Sequence, residues 1–172
     1  MKVSALPLTM ALFLSLRATS VAAQVATSER CPSCRNSVSV VGGVTQYDLS
    51  GTGSAFIAGA HLDRRVRPWL IGDASLRVLR PVEQFRERSW YAIPELQLQL
   101  QTPRGVVRPY VGAGGGWFVG PQWRGTASGA LGLRYVGRET PLGARAELRV
   151  RGIGRTFSGA AAEWSLGAAY HF

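Results

Sequence analysis

From about residue 36 to residue 172, apolar and polar side chains alternate one by one along most of the chain. The stretch Glu95–Gln101 has the sequence ELQLQLQ, and Leu142–Arg151 has the sequence LGARAELRVR. Because successive side chains of a β-strand point to opposite faces, each stretch forms a strand with one apolar and one charged face. Amphipathic helices would instead repeat apolar residues every three or four positions. The alternation therefore predicts an all-β chain.

Turn signals divide this region into segments of about 10 to 14 residues, which is typical of strands that cross a membrane in a barrel. We predict an eight-stranded antiparallel up-and-down transmembrane β-barrel over residues 36–172. The predicted strands are Ser37–Asp48, Gly53–Asp63, Arg67–Arg80, Ser89–Gln101, Val106–Phe118, Gly125–Gly137, Leu142–Gly152 and Gly159–Phe172. The turns expected at the end that holds both termini, facing the periplasm, are Arg64–Val66, Thr102–Gly105 and Arg138–Pro141.

Residues 1–23 have the features of a secretory signal peptide, which is removed on export and takes no part in the fold. Lys2 supplies a positive charge, an apolar run follows over Leu6–Leu16, and Val21-Ala22-Ala23 provides small residues for cleavage. Arg17 interrupts the end of the apolar run, so a retained membrane helix is not expected. The leader predicts an exported protein.

The polar faces of the strands carry charges of both signs in near balance. These residues are Asp63, Asp73, Arg77, Glu95, Arg108, Arg134, Arg145, Glu147, Arg149, Arg151 and Glu163. A soluble barrel with apolar side chains inside would show the same period. The export leader and the ability of the charges to pair around a narrow lumen favour the inverted arrangement, because buried charges must be paired. We predict that these residues form a charge network inside the barrel.

Aromatic residues gather near the segment ends, where they are predicted to form interfacial girdles. They are Trp69, Trp90, Tyr110, Trp117, Trp123, Tyr135, Trp164, Tyr170 and Phe172. Several inward positions are glycine, which is expected to leave room for long arginine side chains: Gly43, Gly59, Gly112, Gly114, Gly116, Gly132 and Gly167.

The last strand ends abruptly on aromatic residues. Ser165, Gly167, Tyr170 and Phe172 match, at each defined position, the C-terminal assembly signal of bacterial outer-membrane barrels. The stretch Pro109–Trp117, PYVGAGGGW, resembles a strand of the small eight-stranded outer-membrane barrels, the OmpA-transmembrane-domain-like and OmpW-like group. The resemblance covers about residues 36–172 and implies an outer-membrane location, with the barrel-assembly machinery and periplasmic chaperones as partners.

That group includes adhesins, structural anchors, small-solute pores and a few lipid-modifying enzymes, so the resemblance does not select a function. Because the barrel pattern runs to residue 172, we do not expect the peptidoglycan anchoring of the OmpA pattern. We expect a structural or surface-interaction role without a catalytic centre. The first alternative is a low-conductance pore for small solutes, hydrophobic ones included. The second is an outer-membrane lipid-modifying enzyme.

Residues 24–35 form a polar lead-in that contains Cys31-Pro32-Ser33-Cys34. A CxxC pair can be a redox centre, half of a metal site or a short disulfide. Haem attachment requires His at the next position, where Arg35 stands, and zinc requires two further ligands, whereas His61 and His171 are distant. In an oxidising compartment we predict a disulfide between Cys31 and Cys34. No metal or cofactor is expected.

The formal net charge of +10 at pH 7 comes almost wholly from arginine, because Lys2 is the only lysine. These arginines are spread over strands and turns without a basic helix, so nucleic acid is not an expected partner. Outer-membrane lipid, including lipopolysaccharide phosphates, is the expected partner. The strand-end candidates for this binding are Arg64, Arg65, Arg86, Arg88, Arg124 and Arg155.

Two histidines lie on the inward parity, and a lipid-modifying enzyme would need a His beside a Ser at the membrane surface. His61 shares its face with Ser75, and His171 shares its face with Ser165. Parity places these groups in the lumen, so we interpret His61 as a hydrogen-bonded interior side chain. Eight strands leave a lumen that side chains can just fill, which favours a charged plug over a conducting path.

Overall fold

A computed structural model describes residues 35–47, 53–81, 90–120, 123–154 and 159–172. The signal peptide predicted over residues 1–23 and the disulfide predicted between Cys31 and Cys34 lie outside the described residues. The strands are β1 (Asn36–Tyr47), β2 (Gly53–Arg67), β3 (Leu70–Pro81), β4 (Tyr91–Gln101), β5 (Val107–Phe118), β6 (Arg124–Val136), β7 (Leu142–Ile153) and β8 (Gly159–His171).

Every strand pairs antiparallel with its neighbours in sequence, and β8 pairs with β1 to close the barrel. The predicted eight-stranded up-and-down barrel is confirmed. The described residues contain no helical segment that could span a bilayer.

Burial alternates along the strands with the same period of two as hydropathy. On β4, Glu95 and Gln99 are buried, whereas Leu96 and Leu98 are 69% and 62% exposed. Charged side chains thus lie inside, and large apolar side chains cover the outside. This arrangement is the inverse of a water-soluble protein and is the one expected for a barrel surrounded by lipid.

The two ends of the barrel differ. At the terminus end, the start of β1 meets the end of β8, and the connections are residues 68–69, 102–106 and 137–141. At the loop end, the connections are residues 48–52, 82–90, 119–123 and 154–158. Exposed aromatics mark the terminus end at Trp69, Tyr135, Tyr170 and Phe172. They mark the loop end at Trp90, Trp117 and Trp123.

The turn predicted at Arg64–Val66 is wrong, because β2 continues to Arg67 and β3 begins only at Leu70. Arg64 and Arg65 continue the ladder with β3, and a register shift follows between Arg65 and Arg67. The turn is formed by Pro68 and Trp69, and proline fits there because it has no N–H to donate to a ladder. The other predicted strand bounds lie within two residues of those observed.

Candidate functional site in the barrel lumen

All eleven charged residues predicted to face inward are buried in the lumen, the space enclosed by the eight strands. They comprise six arginines and five carboxylates. The strand β7 supplies four of them, because Arg145, Glu147, Arg149 and Arg151 occupy alternate positions of one strand. Period-two alternation on a closed sheet is therefore enough to direct these side chains into one enclosed space.

Glu147 lies at the centre of the ion-pair network. Its Oε1 is 2.5 Å from Arg77 Nη2 and 2.8 Å from Arg149 Nη2, and its Oε2 is 2.6 Å from Arg145 Nη2. Tyr110 also donates its hydroxyl proton to Oε2 at 2.5 Å. Three guanidinium groups around one carboxylate leave an excess of positive charge, so the arginines must share other carboxylates.

Two further carboxylates extend the network towards the loop end. Arg77 Nη1 donates to Glu163 at 2.5 Å, and Arg149 Nη1 donates to Glu95 at 2.6 Å. Arg151 joins the same two carboxylates, with contacts of 2.9 Å to Glu95 and 3.0 Å to Glu163. Each of these arginines therefore bridges two carboxylates that come from different strands.

Two aspartates extend the network towards the terminus end. Arg145 Nη1 is 2.9 Å from Asp73 and 3.4 Å from Asp63, and Arg134 Nη2 is 2.7 Å from Asp63. Ser37 donates a further hydrogen bond to Asp63 at 3.2 Å. All five inward carboxylates therefore contact at least one arginine, as a buried charge requires.

His61 is engaged on both ring nitrogens. Its Nε2 lies 3.2 Å from Arg77 Nη2, and its Nδ1 lies 2.9 Å from Asp73 Oδ2. Because arginine can only donate, Nε2 accepts and Nδ1 donates to Asp73. Ser75 lies directly opposite His61 in the β2–β3 ladder. In this arrangement neither ring nitrogen is available to take a proton from Ser75.

Tyr110 belongs to this network. Its place near a strand end predicts an aromatic girdle, and the structure contradicts that prediction. It is 4% exposed, and the guanidinium groups of Arg134 and Arg145 lie 4.9 and 5.3 Å from its ring centroid. Its ring also fills the space that a side chain at Gly132 would need. The signal that identifies its direction is its parity with Arg108, two residues earlier on β5.

Long side chains occupy the space beside two of the inward glycines, Gly59 and Gly112. The expected room for arginine is absent at four others, where a neighbouring strand's backbone lies too close for a Cβ: Gly43, Gly114, Gly116 and Gly167. A Cβ added at Gly112 would lie 2.8 Å from Gln99 Cγ, and one added at Gly59 would lie 2.9 Å from Arg77 Cγ. Gly59 therefore leaves room for a long arginine, as predicted, and neither Gly59 nor Gly112 leaves an open channel at its position.

An apolar cluster follows the network at the loop end and was not among the features predicted from the sequence. Ala55, Leu79 and Ile93 are buried there, and Tyr91 and Phe118 pack against them. The two aromatic rings lie 4.9 Å apart between centroids. These side chains share the inward parity of the charges, so the same alternation could have located them. They cover the charged network on the side of the loops.

Three solved structures of small outer-membrane β-barrels share this fold. Neisserial surface protein A superposes with a TM-score of 0.68 at 14% identity, over 80% of this chain and 97% of that one. The N-terminal β-barrel domain of Pseudomonas aeruginosa OprF gives 0.54 at 20% identity, over 81% and 99%. The attachment invasion locus protein Ail of Yersinia pestis gives 0.52 at 14% identity, over 81% and 99%.

The chain has the fold of the small eight-stranded outer-membrane β-barrels. The resemblance seen in the sequence is thus confirmed for the fold. No protein-family model and no curated protein sequence matches the chain.

The residues of the predicted assembly signal end the last strand of this outer-membrane-type barrel. Ser165 is buried in the lumen, whereas Tyr170 and Phe172 are about half exposed on the outside, with ring centroids 6.4 Å apart. The backbone of Phe172 exchanges two hydrogen bonds with Asn36, of 2.9 and 3.0 Å. Gly167 lies against the Val40 backbone of β1, too close for a Cβ.

The strand-end arginines are divided between the described and undescribed parts of the chain. Arg64 and Arg124 are exposed, whereas Arg65 is half-buried and lines the terminus end of the lumen. The others, Arg86, Arg88 and Arg155, lie outside the described residues. Among the residues that the structure describes, no group of three or more His, Cys, Asp or Glu side chains could hold a metal ion.

Proposed function

We propose that this chain is an outer-membrane β-barrel protein with a structural or surface-interaction role, in which the lumen is a plug and not a path. The observation that carries the proposal is the two-layered filling of the lumen. Charged side chains that pair with one another occupy its middle, and the apolar cluster around Leu79 and Ile93 covers them at the loop end.

An ion that crosses this lumen would have to break arginine–carboxylate pairs, and no other contact would replace them. Glu147 alone contacts three arginines at 2.5 to 2.8 Å, and breaking a buried pair by removing one partner costs about 3–5 kcal/mol. The apolar cluster adds a second barrier, because it offers no group that could replace the water molecules around an ion.

The outer surface supports the membrane location. Large apolar side chains are exposed around the barrel, with aromatic residues near both ends, and the proteins of the same fold are bacterial outer-membrane barrels. In our proposal residues 1–23 direct export, and the barrel-assembly machinery recognises Ser165, Gly167, Tyr170 and Phe172 after delivery by periplasmic chaperones. The terminus end then faces the periplasm, together with the lead-in and its Cys31–Cys34 disulfide.

Lipid phosphates are the proposed partners of the arginines on the outer surface. Arg80 is exposed near the loop end, where its guanidinium lies 5.5 Å from the centroid of the Trp90 ring. An arginine beside an interfacial tryptophan is placed at the level of lipid headgroups. On the outer leaflet, these headgroups include the phosphates of lipopolysaccharide. Arg64 occupies the corresponding outer position at the terminus end.

Catalysis is not part of the proposal. Two inward histidines have a serine directly opposite them among the described residues, His61 opposite Ser75 and His171 opposite Ser37. Both ring nitrogens of His61 already have partners, and the Ser37 hydroxyl donates to Asp63 at 3.2 Å. A general base must have a nitrogen within reach of the proton that it accepts.

The test is single-channel recording of the purified protein in a planar bilayer, after a gel mobility shift on boiling has established that the barrel is folded. We expect no discrete conductance steps. Discrete steps that disappear or change size in Arg77→Gln or Glu95→Gln would overturn the plug and establish a pore for small solutes. The variant Arg138→Gln, in an exposed turn, is the matched control and should record as the unaltered protein does.

A further inference from the structure

Positive charge and an aromatic side chain lie together on the outside of the barrel where β2 turns into β3. Arg64 and Arg67 are exposed there, and Trp69, in the turn between the two strands, is half exposed. We name residues 64–69 the β2–β3 tip. Arg64 follows the exposed Leu62 at the next outward position of β2, so it continues the apolar outer face of that strand to the terminus end.

A β-bulge gives Arg67 the same side as Arg64. The register of β2 against β3 shifts between Arg65 and Arg67. Arg67, and not Val66, is the residue that pairs with Leu70, so Val66 is the extra residue of a bulge. In a regular strand Arg67 would have the inward parity of Arg65, whereas the extra residue gives it the outward parity of Arg64. Two arginines therefore lie on one face, about 7 Å apart along the strand.

The ladder neighbours of both arginines belong to the outer wall. Leu70, the partner of Arg67, pairs in turn with Leu100, which is half exposed on the outside of β4. Arg64 lies opposite Gly72, which has no side chain that could cover it. The two guanidinium groups are therefore open to the membrane side of the barrel and not to the lumen.

The carboxylates of β2 and β3 do not neutralise these two arginines. Asp63 and Asp73 are buried in the lumen, where Arg134 and Arg145 contact them at 2.7 and 2.9 Å. Neither arginine of the β2–β3 tip forms an ion pair with another residue in the described part of the chain. Two positive charges on the outer wall are thus open to an anionic partner.

Strand β4 holds the β2–β3 tip in place. The backbone N–H of Gln101 donates to the Trp69 carbonyl at 2.9 Å, and its side-chain amide donates to the Pro68 carbonyl at 3.3 Å. A turn that is already ordered loses less freedom when a ligand binds to it. Its side chains suit a lipid headgroup, because tryptophan favours the membrane–water interface and arginine forks match the oxygens of a phosphate.

We propose that Arg64, Arg67 and Trp69 form a binding site for an anionic glycerophospholipid in the leaflet at the terminus end. The two guanidinium groups bind the headgroup phosphate, and the acyl chains lie along the apolar wall of β2 and β3. A headgroup with a net negative charge is favoured over one that also carries an amine, because the arginines repel the amine. The inference rests on the membrane placement proposed above, and it assigns phospholipid to the end opposite Arg80.

The experiment measures how strongly lipids with brominated acyl chains quench the fluorescence of Trp69 in phosphatidylcholine vesicles. A minor fraction of the lipid is brominated, either as phosphatidylglycerol or as phosphatidylcholine, and a gel mobility shift on boiling establishes that the barrel is folded. The signal of Trp69 is the difference between the protein and its Trp69→Phe variant, since the chain has four other tryptophans. We expect brominated phosphatidylglycerol to quench Trp69 more strongly than brominated phosphatidylcholine does.

Two substitutions localise this preference. Arg64→Gln and Arg67→Gln should each lower the association of phosphatidylglycerol at Trp69, relative to phosphatidylcholine, by about fivefold, the contribution of one arginine near an anionic surface. The matched control is Arg138→Gln, which removes an exposed arginine at the same end, from the turn between β6 and β7 on the far side of the barrel. It should leave the relative association unchanged.

Three results would overturn the proposal. Equal quenching of Trp69 by the two brominated lipids in a folded barrel would show that the β2–β3 tip does not select anionic lipid. An equal loss of preference in Arg138→Gln would assign it to the summed charge of the terminus end. A loss in Arg64→Gln without a loss in Arg67→Gln would refute the joint site that the bulge creates. The plug is tested independently, since conductance steps from a barrel that keeps the preference would refute the plug alone.

Discussion

Replacing Glu147 by Gln removes the carboxylate at the centre of the luminal network and keeps the size of the side chain. The substitution leaves six arginines and four carboxylates buried in the described part of the lumen, where six and five were present. The new amide also directs two N–H donors into a site where Arg77, Arg145, Arg149 and the Tyr110 hydroxyl are already donors. Both effects disfavour the folded barrel.

The size of the loss follows from the remaining contacts. Each of the three arginines at Glu147 retains a second carboxylate, with contacts of 2.5 Å for Arg77, 2.6 Å for Arg149 and 2.9 Å for Arg145. The loss is therefore that of one buried partner, about 3–5 kcal/mol, and not three times that value. We expect the free energy of unfolding to fall by this amount.

The assay is urea unfolding of the purified protein in lipid vesicles, followed by tryptophan fluorescence and by gel mobility without boiling. The control is Glu139→Gln, which removes an exposed carboxylate in the turn 137–141 and should cost less than about 1 kcal/mol. If the two variants lose equal stability, water solvates the luminal arginines well enough to replace Glu147. The plug would then lack its physical basis.

Three further substitutions test the wall and the end of the barrel. Gly116→Ala should lower the free energy of unfolding in urea by about 1–3 kcal/mol, because the new Cβ meets a backbone carbonyl of β4. Gly125→Ala is the control and should not lower it, because nothing lies within 4 Å of the new Cβ. Leu131 is exposed in the middle of β6, and Leu131→Arg should lower the free energy of unfolding in vesicles by about 2–4 kcal/mol. Leu142 is exposed at the start of β7, and Leu142→Arg should lower it by less than about 1 kcal/mol. Equal costs would contradict the membrane placement. Deletion of Phe172 should reduce the heat-modifiable protein in outer-membrane fractions of cells, and undiminished assembly would refute its role as a signal.

The strands could be predicted because their cause is local. Alternation of leucine with Glu95 and Gln97 specifies two faces of β4 whatever its neighbours are. The error at Arg64–Val66 has a different cause. Ladder bonds from β3 extend β2 to Arg67, and this pairing depends on the neighbouring strand.

The partners within the lumen could not be predicted, because they depend on how the barrel closes. Arg77 meets Glu147 and Glu163, which are 70 and 86 positions away in sequence. Alternation along each strand predicts that all three side chains point inward. The stagger between strands decides which inward residues lie at the same height along the barrel axis. Tyr110 illustrates the same limit, since only its contacts distinguish a network residue from a girdle aromatic.

The amino-acid sequence by itself therefore determined the number of strands, their two faces and the set of charges that face inward, because each of these properties depends on alternation within one strand. Only the tertiary structure decided which charges pair and that apolar side chains cover them at the loop end. Those properties depend on distances between strands that are remote in sequence, and these distances exist only once β8 has paired with β1.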